Sequence, residues 1–350
     1  MPSRRRFLQT AAATAAVTTA HGRARANGPG VTERLARYMV AARDQALPEQ
    51  VVRECKHRIL DTLGAMVSGS RMKPGEMALK YVRSLGGEAQ ASVVGSDFRT
   101  TAVNAALANA MCAHADETDD FEPVTKAHPG CAVVPAALAM AERQHRSGQE
   151  VIRAVVLGYD LTCRLLMALG PDLVRGSHRS AEGTSSTFGA LGAAASLARL
   201  DEKGMRYAIS YSSQQVSGLW SWVKDHDHIE KAFDFAGMGA RNGVMAVDMV
   251  MTGLTGVDDV LDGTPGAARQ GDARRRQGAD GSGRTARRRR RSDVDRWQEG
   301  RALHQVSAGH QGEPAEHRSR RGENAGPDRA GAGCRQSRQV DRANRQSRTT

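Results

Sequence analysis

Rings are scarce in this chain: aromatic residues make up 4% of it, while alanine recurs throughout. A core with so few large side chains closes by backbone approach between small ones. That points to a dense helical array and against a sheet sandwich. The five cysteines, Cys55, Cys112, Cys131, Cys163 and Cys334, are odd in number and include no CxxC pair. They fit neither a disulfide frame nor a zinc site and read as buried free thiols. No GxGxxG or GxxxxGK[ST] lies between a strand and a helix, so no nucleotide cofactor is expected. There is no HExxH either, and Asp116-x-x-Asp119-Asp120 lacks the alternating oxygens of a calcium loop, so no metal is expected.

The largest absence is regional. Residues 264–350 hold no Lys, Ile, Phe, Tyr or Met and a single Leu, Leu303, but 21 Arg against 10 Asp plus Glu. This stretch therefore carries +11 of the chain's net +12 and leaves the preceding part near neutral. With so little apolar surface to bury, it cannot offset its chain entropy and is expected to be disordered. Its arginine-only basicity, starting abruptly after Gly263, is what a GC-rich gene read in a shifted frame tends to give. Nucleic-acid binding by Arg287–Arg291 is the alternative, although only Trp297 supplies an aromatic for stacking and no specific nucleic acid is expected.

At the other end, Ser3-Arg4-Arg5-Arg6-Phe7-Leu8-Gln9 precedes an Ala/Thr-rich run and then Ala24-Arg25-Ala26. This is the form of a twin-arginine export signal with a small-x-small cleavage site, too short and polar to anchor in a bilayer. Residues 1–26 are read as that signal, 27–263 as a helical body and 264–350 as the tail. The export machinery is an expected partner and the periplasm the expected location, the cytoplasm being the alternative.

Within the body, Thr32 opens a helical pattern through Leu35, Tyr38, Met39 and Ala42. Pro48 then starts a second helix, whose stripe Val51, Val52, Cys55, Ile59, Leu60, Leu63 and Val67 ends at Gly69. These two are expected to pack as a hairpin. After a β-prone piece, Ala91–Val94, further helices are predicted over 101–114, 135–143, 150–169, 186–198, 202–218 and 236–251. The body is therefore mainly α.

Three segments carry chemistry. His114, Asp116, Glu117, Asp119, Asp120 and His128 crowd four carboxylates and two imidazoles at a helix end. Such crowding shifts pKa values and supplies acid and base candidates, against the plainer reading of a solvated capping loop. Arg175-Gly176-Ser177-His178-Arg179 precedes Gly183–Gly189, whose loop amides before a helix suit an anion. Asp225-His226-Asp227-His228-Ile229-Glu230-Lys231 again mixes ionisable with apolar residues. There Lys231 is either a carboxylate binder or a surface partner of Glu230.

Taken in order, these blocks resemble the MmgE/PrpD family, which includes 2-methylcitrate dehydratases and cis-aconitate decarboxylases. The resemblance runs through Leu60-Asp61-Thr62-Leu63-Gly64, Ala105–Asn109 leading to His114, Asp119-Asp120 and His128-Pro129-Gly130 with Pro135-Ala136. It continues with Gly158-Tyr159-Asp160 with Arg164, and with Lys231-Ala232-Phe233 and Ala240–Gly243. It covers about residues 31–263 and implies a large helical domain plus a smaller α/β lid, here missing, with the active site between them. It also implies no metal or organic cofactor and a homodimer. The substrate would be a small polycarboxylate, dehydrated in the manner of 2-methylcitrate, with decarboxylation or isomerisation and epimerisation as alternatives. The resemblance places catalytic roles at His128, Glu117, Asp119 and Asp120 and substrate contacts at His178, Lys231 and His114. His128 is the candidate base or acid, Glu117 or Asp119 its acid partner or orienting group, and Lys231 and His178 the carboxylate binders. Phe121 stands where the family often has Thr, and the spacing to His128 is one residue longer than in the decarboxylase branch, which argues against decarboxylation.

Overall fold

A computed structural model describes residues 28–263. The twin-arginine segment and the arginine-rich tail lie outside these residues. Among the described residues eleven α-helices follow one another: α1 Val31–Asp44, α2 Glu49–Gly69, α3 Lys73–Leu85, α4 Ala102–Ala113, α5 Pro129–Gln144, α6 Gly148–Leu169, α7 Pro171–Gly176, α8 Ala181–Leu197, α9 Glu202–Gln214, α10 Ile229–Ala232 and α11 Met238–Met251. The only sheet among the described residues pairs β1 (Ala91–Ser92) with β2 (Arg99–Thr100), antiparallel, Ala91 opposite Thr100. The body is thus mainly helical, and none of its helices is long and apolar enough to cross a membrane.

Small residues build the centre. Every residue of α8 is buried, and its neighbours are α6, α11 and α5. A Cβ on Gly189 would overlap Thr162 Oγ1 on α6, and one on Gly243 of α11 would overlap the backbone at Leu191. Helices meet here almost backbone to backbone, at a distance only glycine and alanine allow. The core is as small-residued as the composition requires.

Local signals set several of the ends. Ser147 and Glu150 form a reciprocal capping box at the start of α6. Thr101 caps α4 through the Asn104 N–H, and Pro48 directly precedes α2. The last described stretch turns back on the first, since Leu261 N–H donates to Thr32 Oγ1 at 3.0 Å and Asp262 accepts from Val31 N–H at the start of α1.

The structure corrects four expectations. α1 packs on α9 and α6, not on α2 as a hairpin. α3 has no counterpart in the sequence reading. Its Pro74 sits in the first turn, where a missing N–H costs nothing, and its Gly75 lets that turn press on the Gly69 carbonyl. α5 starts at Pro129, six residues before the expected start, with Pro135 inside it. α8 begins at Ala181, so Gly183–Gly189 is buried helix and not an anion-binding loop, and the Gly183 N–H is taken by Ser180 Oγ at 2.9 Å.

Candidate active site

The end of α4 and the start of α5 face each other across the acidic loop, and this brings two imidazoles onto one carboxylate. His114, the C-terminal cap of α4, has its side chain fully buried. Its Nδ1 lies 2.9 Å from Asp119 Oδ1, while His128 Nδ1, at the head of α5, lies 3.1 Å from Asp119 Oδ2. The Asp119 side chain is itself only 1% exposed. Burial alone would raise the Asp119 pKa, but the hydrogen bonds and charges of His114 and His128 outweigh it and hold the carboxyl well below its ordinary range. An ionised carboxylate only accepts, so both rings donate to it through Nδ1–H, and burial lowers the His114 pKa, which favours its neutral ring. His114 Nε2 is buried with no hydrogen-bond partner. His128 keeps 22% of its side chain exposed, so its ring opens to solvent.

Phe235 forms the floor. It stacks on His114 with ring centroids 4.6 Å apart and meets His128 edge-on at 5.3 Å. It is delivered by a π-turn, Phe233–Gly237, between α10 and α11. Such one-residue expansions re-aim side chains and recur at functional sites. Helix α10, just before this turn, supplies Lys231, which pairs with Glu117 and lies 5.3 Å from the Trp222 and Phe235 ring centres. Burial lowers the Lys231 pKa. Glu117 holds a left-handed backbone, φ 55°. His228, also left-handed, donates from Nε2 to the His114 carbonyl at 3.0 Å and brings Nδ1 to 3.7 Å from Glu117.

His114, Glu117, Asp119, His128 and Lys231 therefore converge. Asp120 faces the other way: it accepts from Gly130 N–H at 3.0 Å and from Tyr159 Oη at 2.9 Å, with Arg58 at 3.7 Å. Burial raises its pKa, against the pull of the Tyr159 hydrogen bond. Asp120 thus anchors the start of α5 to α6. His178 is exposed on the turn after α7, φ 63°, and no hydrogen bond, ion pair or ring contact joins its side chain to the cluster. Its neighbour Arg175 is not free for an anion either. It pairs with buried Glu182 at 2.5 Å and donates to the Thr125 carbonyl at 3.0 Å. Sequence reasoning missed His228 and Phe235 as members. His228 lay in a segment already marked as ionisable, whereas Phe235 carried no signal distinguishing it from core.

Two sets of groups have ligand atoms within 4.8 Å of one another, His114/Asp119/His128 and His114/Glu117/His228. In the first set the separations are hydrogen bonds with the carboxylate between the rings. In the second the Lys231 ammonium on Glu117 opposes a second cation. Two surface grooves of about 580 Å³ pass beside the cluster without including either imidazole of the Asp119 pair: one follows α2 by Asp61 and Asp116, the other runs between α3 and Asp225–Phe233. The cluster itself opens at the surface, and Phe121, Val124, Leu219 and Val223 near it in sequence are exposed apolar residues.

Residues 33–273 match the MmgE/PrpD N-terminal domain. The chain belongs to the MmgE/PrpD family. Among its relatives, a cis-aconitate decarboxylase-like protein of Aspergillus oryzae is 28% identical over 244 residues, covering 66% of this chain and 49% of that protein. The cis-aconitate decarboxylase of Homo sapiens is 28% identical over 247 residues, covering 66% and 48%. That of Aspergillus terreus is 26% identical over 244 residues, covering 67% and 48%. The chain thus spans about half the length of the curated relatives it matches.

Proposed function

We propose that the described residues form the N-terminal half of a lyase site for a small polycarboxylate, with His128 as the proton-transfer group. The Asp119 bridge carries this reading. A carboxylate that fixes the Nδ1–H tautomer leaves Nε2 as a base, and only the His128 ring is open enough to reach a substrate carbon. In a dehydration, Nε2 takes the proton from the carbon next to a carboxylate and the hydroxyl departs from the neighbouring carbon as water, after protonation by an acid. Lys231 supplies positive charge for a substrate carboxylate, which would take the place of Glu117 on its ammonium, with His228 beside the pair and held by the His114 carbonyl. Dehydration of a 2-methylcitrate-like hydroxy acid is the first reading, because Phe121 replaces the usual Thr of the loop. Decarboxylation is the second, favoured by the names of the relatives. Both need a proton placed on or taken from carbon beside a carboxylate. The open face and its apolar neighbours fit a site whose other wall comes from a second half.

The test is to join residues 28–263 to the C-terminal half of one of these relatives and assay 2-methylcitrate and cis-aconitate. Turnover of either is expected, lost by about 10²-fold or more in His128→Ala. Full activity in that variant refutes the assignment.

A further inference from the structure

The π-turn, the start of α8 and the Gly218–Trp222 stretch meet on a buried carboxyl group with no role so far. Asp234 lies in the π-turn between Phe233 and Phe235 and is 5% exposed. Its Oδ2 accepts from the Ser180 hydroxyl, whose oxygen in turn accepts the Gly183 N–H at 2.9 Å and caps α8. Ser180 N–H donates to the Gly218 carbonyl at 3.1 Å. Gly218, with φ 100°, lies so close to Asp234 Oδ1 that any Cβ there would overlap it. Two residues on, Trp220 N–H donates to the His178 carbonyl at 3.2 Å, and Trp222 packs edge-on against Phe235 at 4.7 Å.

We propose that Asp234 is a positioning residue: its carboxylate draws Ser180 and the Gly218–Trp222 segment onto the π-turn and so sets Phe235 flat against His114. The proposal rests on reading the His114–Asp119–His128 cluster as the site. Asp234 touches neither imidazole and acts through Phe235. Among the described residues, no other side chain of the π-turn hydrogen-bonds to the Ser180 cap.

Titration should expose this link. Burial raises the Asp234 pKa to about 7, opposed by the Ser180 hydrogen bond and reinforced by Glu182 and Glu230, the charged groups that face it. Glu182 is held by Arg175 on α7. Because the folded-state value lies above the ordinary 3.8, the folded chain keeps this proton between that value and about 7. The stability it contributes is present at acid pH and is lost as pH rises through about 7. The ionised form, however, accepts the stronger, charge-assisted bond from Ser180. Local order at Phe235 therefore increases as Asp234 ionises around pH 7.

The experiment uses the full chain with 4-fluorophenylalanine at Phe235, followed by fluorine NMR from about pH 5.5 to 8.5, a range centred on the Asp234 transition. The signal should move with a midpoint near 7. Asp234→Asn, which keeps the shape and an acceptor but cannot ionise, should be flat and sit at the acid-end position. Asp234→Ala should be displaced at every pH. A His128→Gln/His228→Gln background should retain the step, which separates it from titration of those rings. A step that survives in Asp234→Asn overturns the proposal. If Asp234→Ala loses its far-UV dichroism, the asparagine variant alone decides. Citrate titration on the same samples reads the site separately. A step without citrate binding retires the site reading and leaves the Asp234 link standing. Citrate binding with an Asp234-independent step does the reverse.

Discussion

Replacing Arg175 by alanine is expected to destabilise the fold by about 3–5 kcal/mol, more than the loss of any of the exposed ion pairs. Its partner Glu182 has a side chain 5% exposed, with Oε2 already lacking a hydrogen-bond partner. Removing the guanidinium strands a buried carboxylate, and that penalty exceeds the worth of a surface pair. The same arginine holds the Thr125 carbonyl, three residues before His128, and lies over the Trp220 ring at 5.7 Å. Thermal unfolding should shift down by on the order of 10 °C. Adding Glu182→Gln to the alanine variant removes the stranded charge and should recover about half of the loss, as a double-mutant cycle would show. If Arg175→Ala unfolds at the wild-type temperature, the pair does not clamp α7 to α8.

Asp119→Asn should abolish most proton transfer in a complemented enzyme, lowering kcat by about 10²–10⁴ while changing KM far less. The amide presents one acceptor and one donor group where the carboxylate presented two acceptors. Only one ring can then keep its Nδ1–H bond. The other must turn or change tautomer and loses the free Nε2 that makes it a base. Because the Asp119 pKa is depressed in the fold, the stability it supplies is present above its ordinary range and is lost as pH falls toward the folded value, the opposite sense to Asp234. Acid sensitivity should therefore decrease in Asp119→Asn, while the fall in stability between pH 3.8 and about 7 should flatten only in Asp234→Asn.

Sequence alone made the helical body, the small-residue core and most of the cluster legible, because these rest on composition, periodicity and proximity in the chain. Asp119 lies five residues from His114 and nine from His128, so the loop that joins them had to bring them close. Lys231 was reached through motif order and not through spacing. Geometry decided the rest. Gly183–Gly189 looks like a loop because Gly, Ser and Thr are weak helix formers. Burial on every side makes it a helix, and the anion site expected there disappears. Asp120 could not be told from Asp119 by sequence, since adjacent residues in a loop can face opposite walls. Phe235 depends on the π-turn, an expansion that no periodic pattern announces, and His228 on its left-handed backbone at the head of α10.

The most direct test of the Asp119 bridge is the protonation state of its two imidazoles, read from long-range proton–nitrogen spectra of the full chain with labelled histidine near neutral pH. His114 and His128 are both expected as Nδ1–H tautomers with bare Nε2, and that pattern should be lost in at least one ring of Asp119→Asn. A wild-type His128 protonated at Nε2 and bare at Nδ1 would contradict the bridge, because that ring could neither donate to Asp119 nor serve as the base.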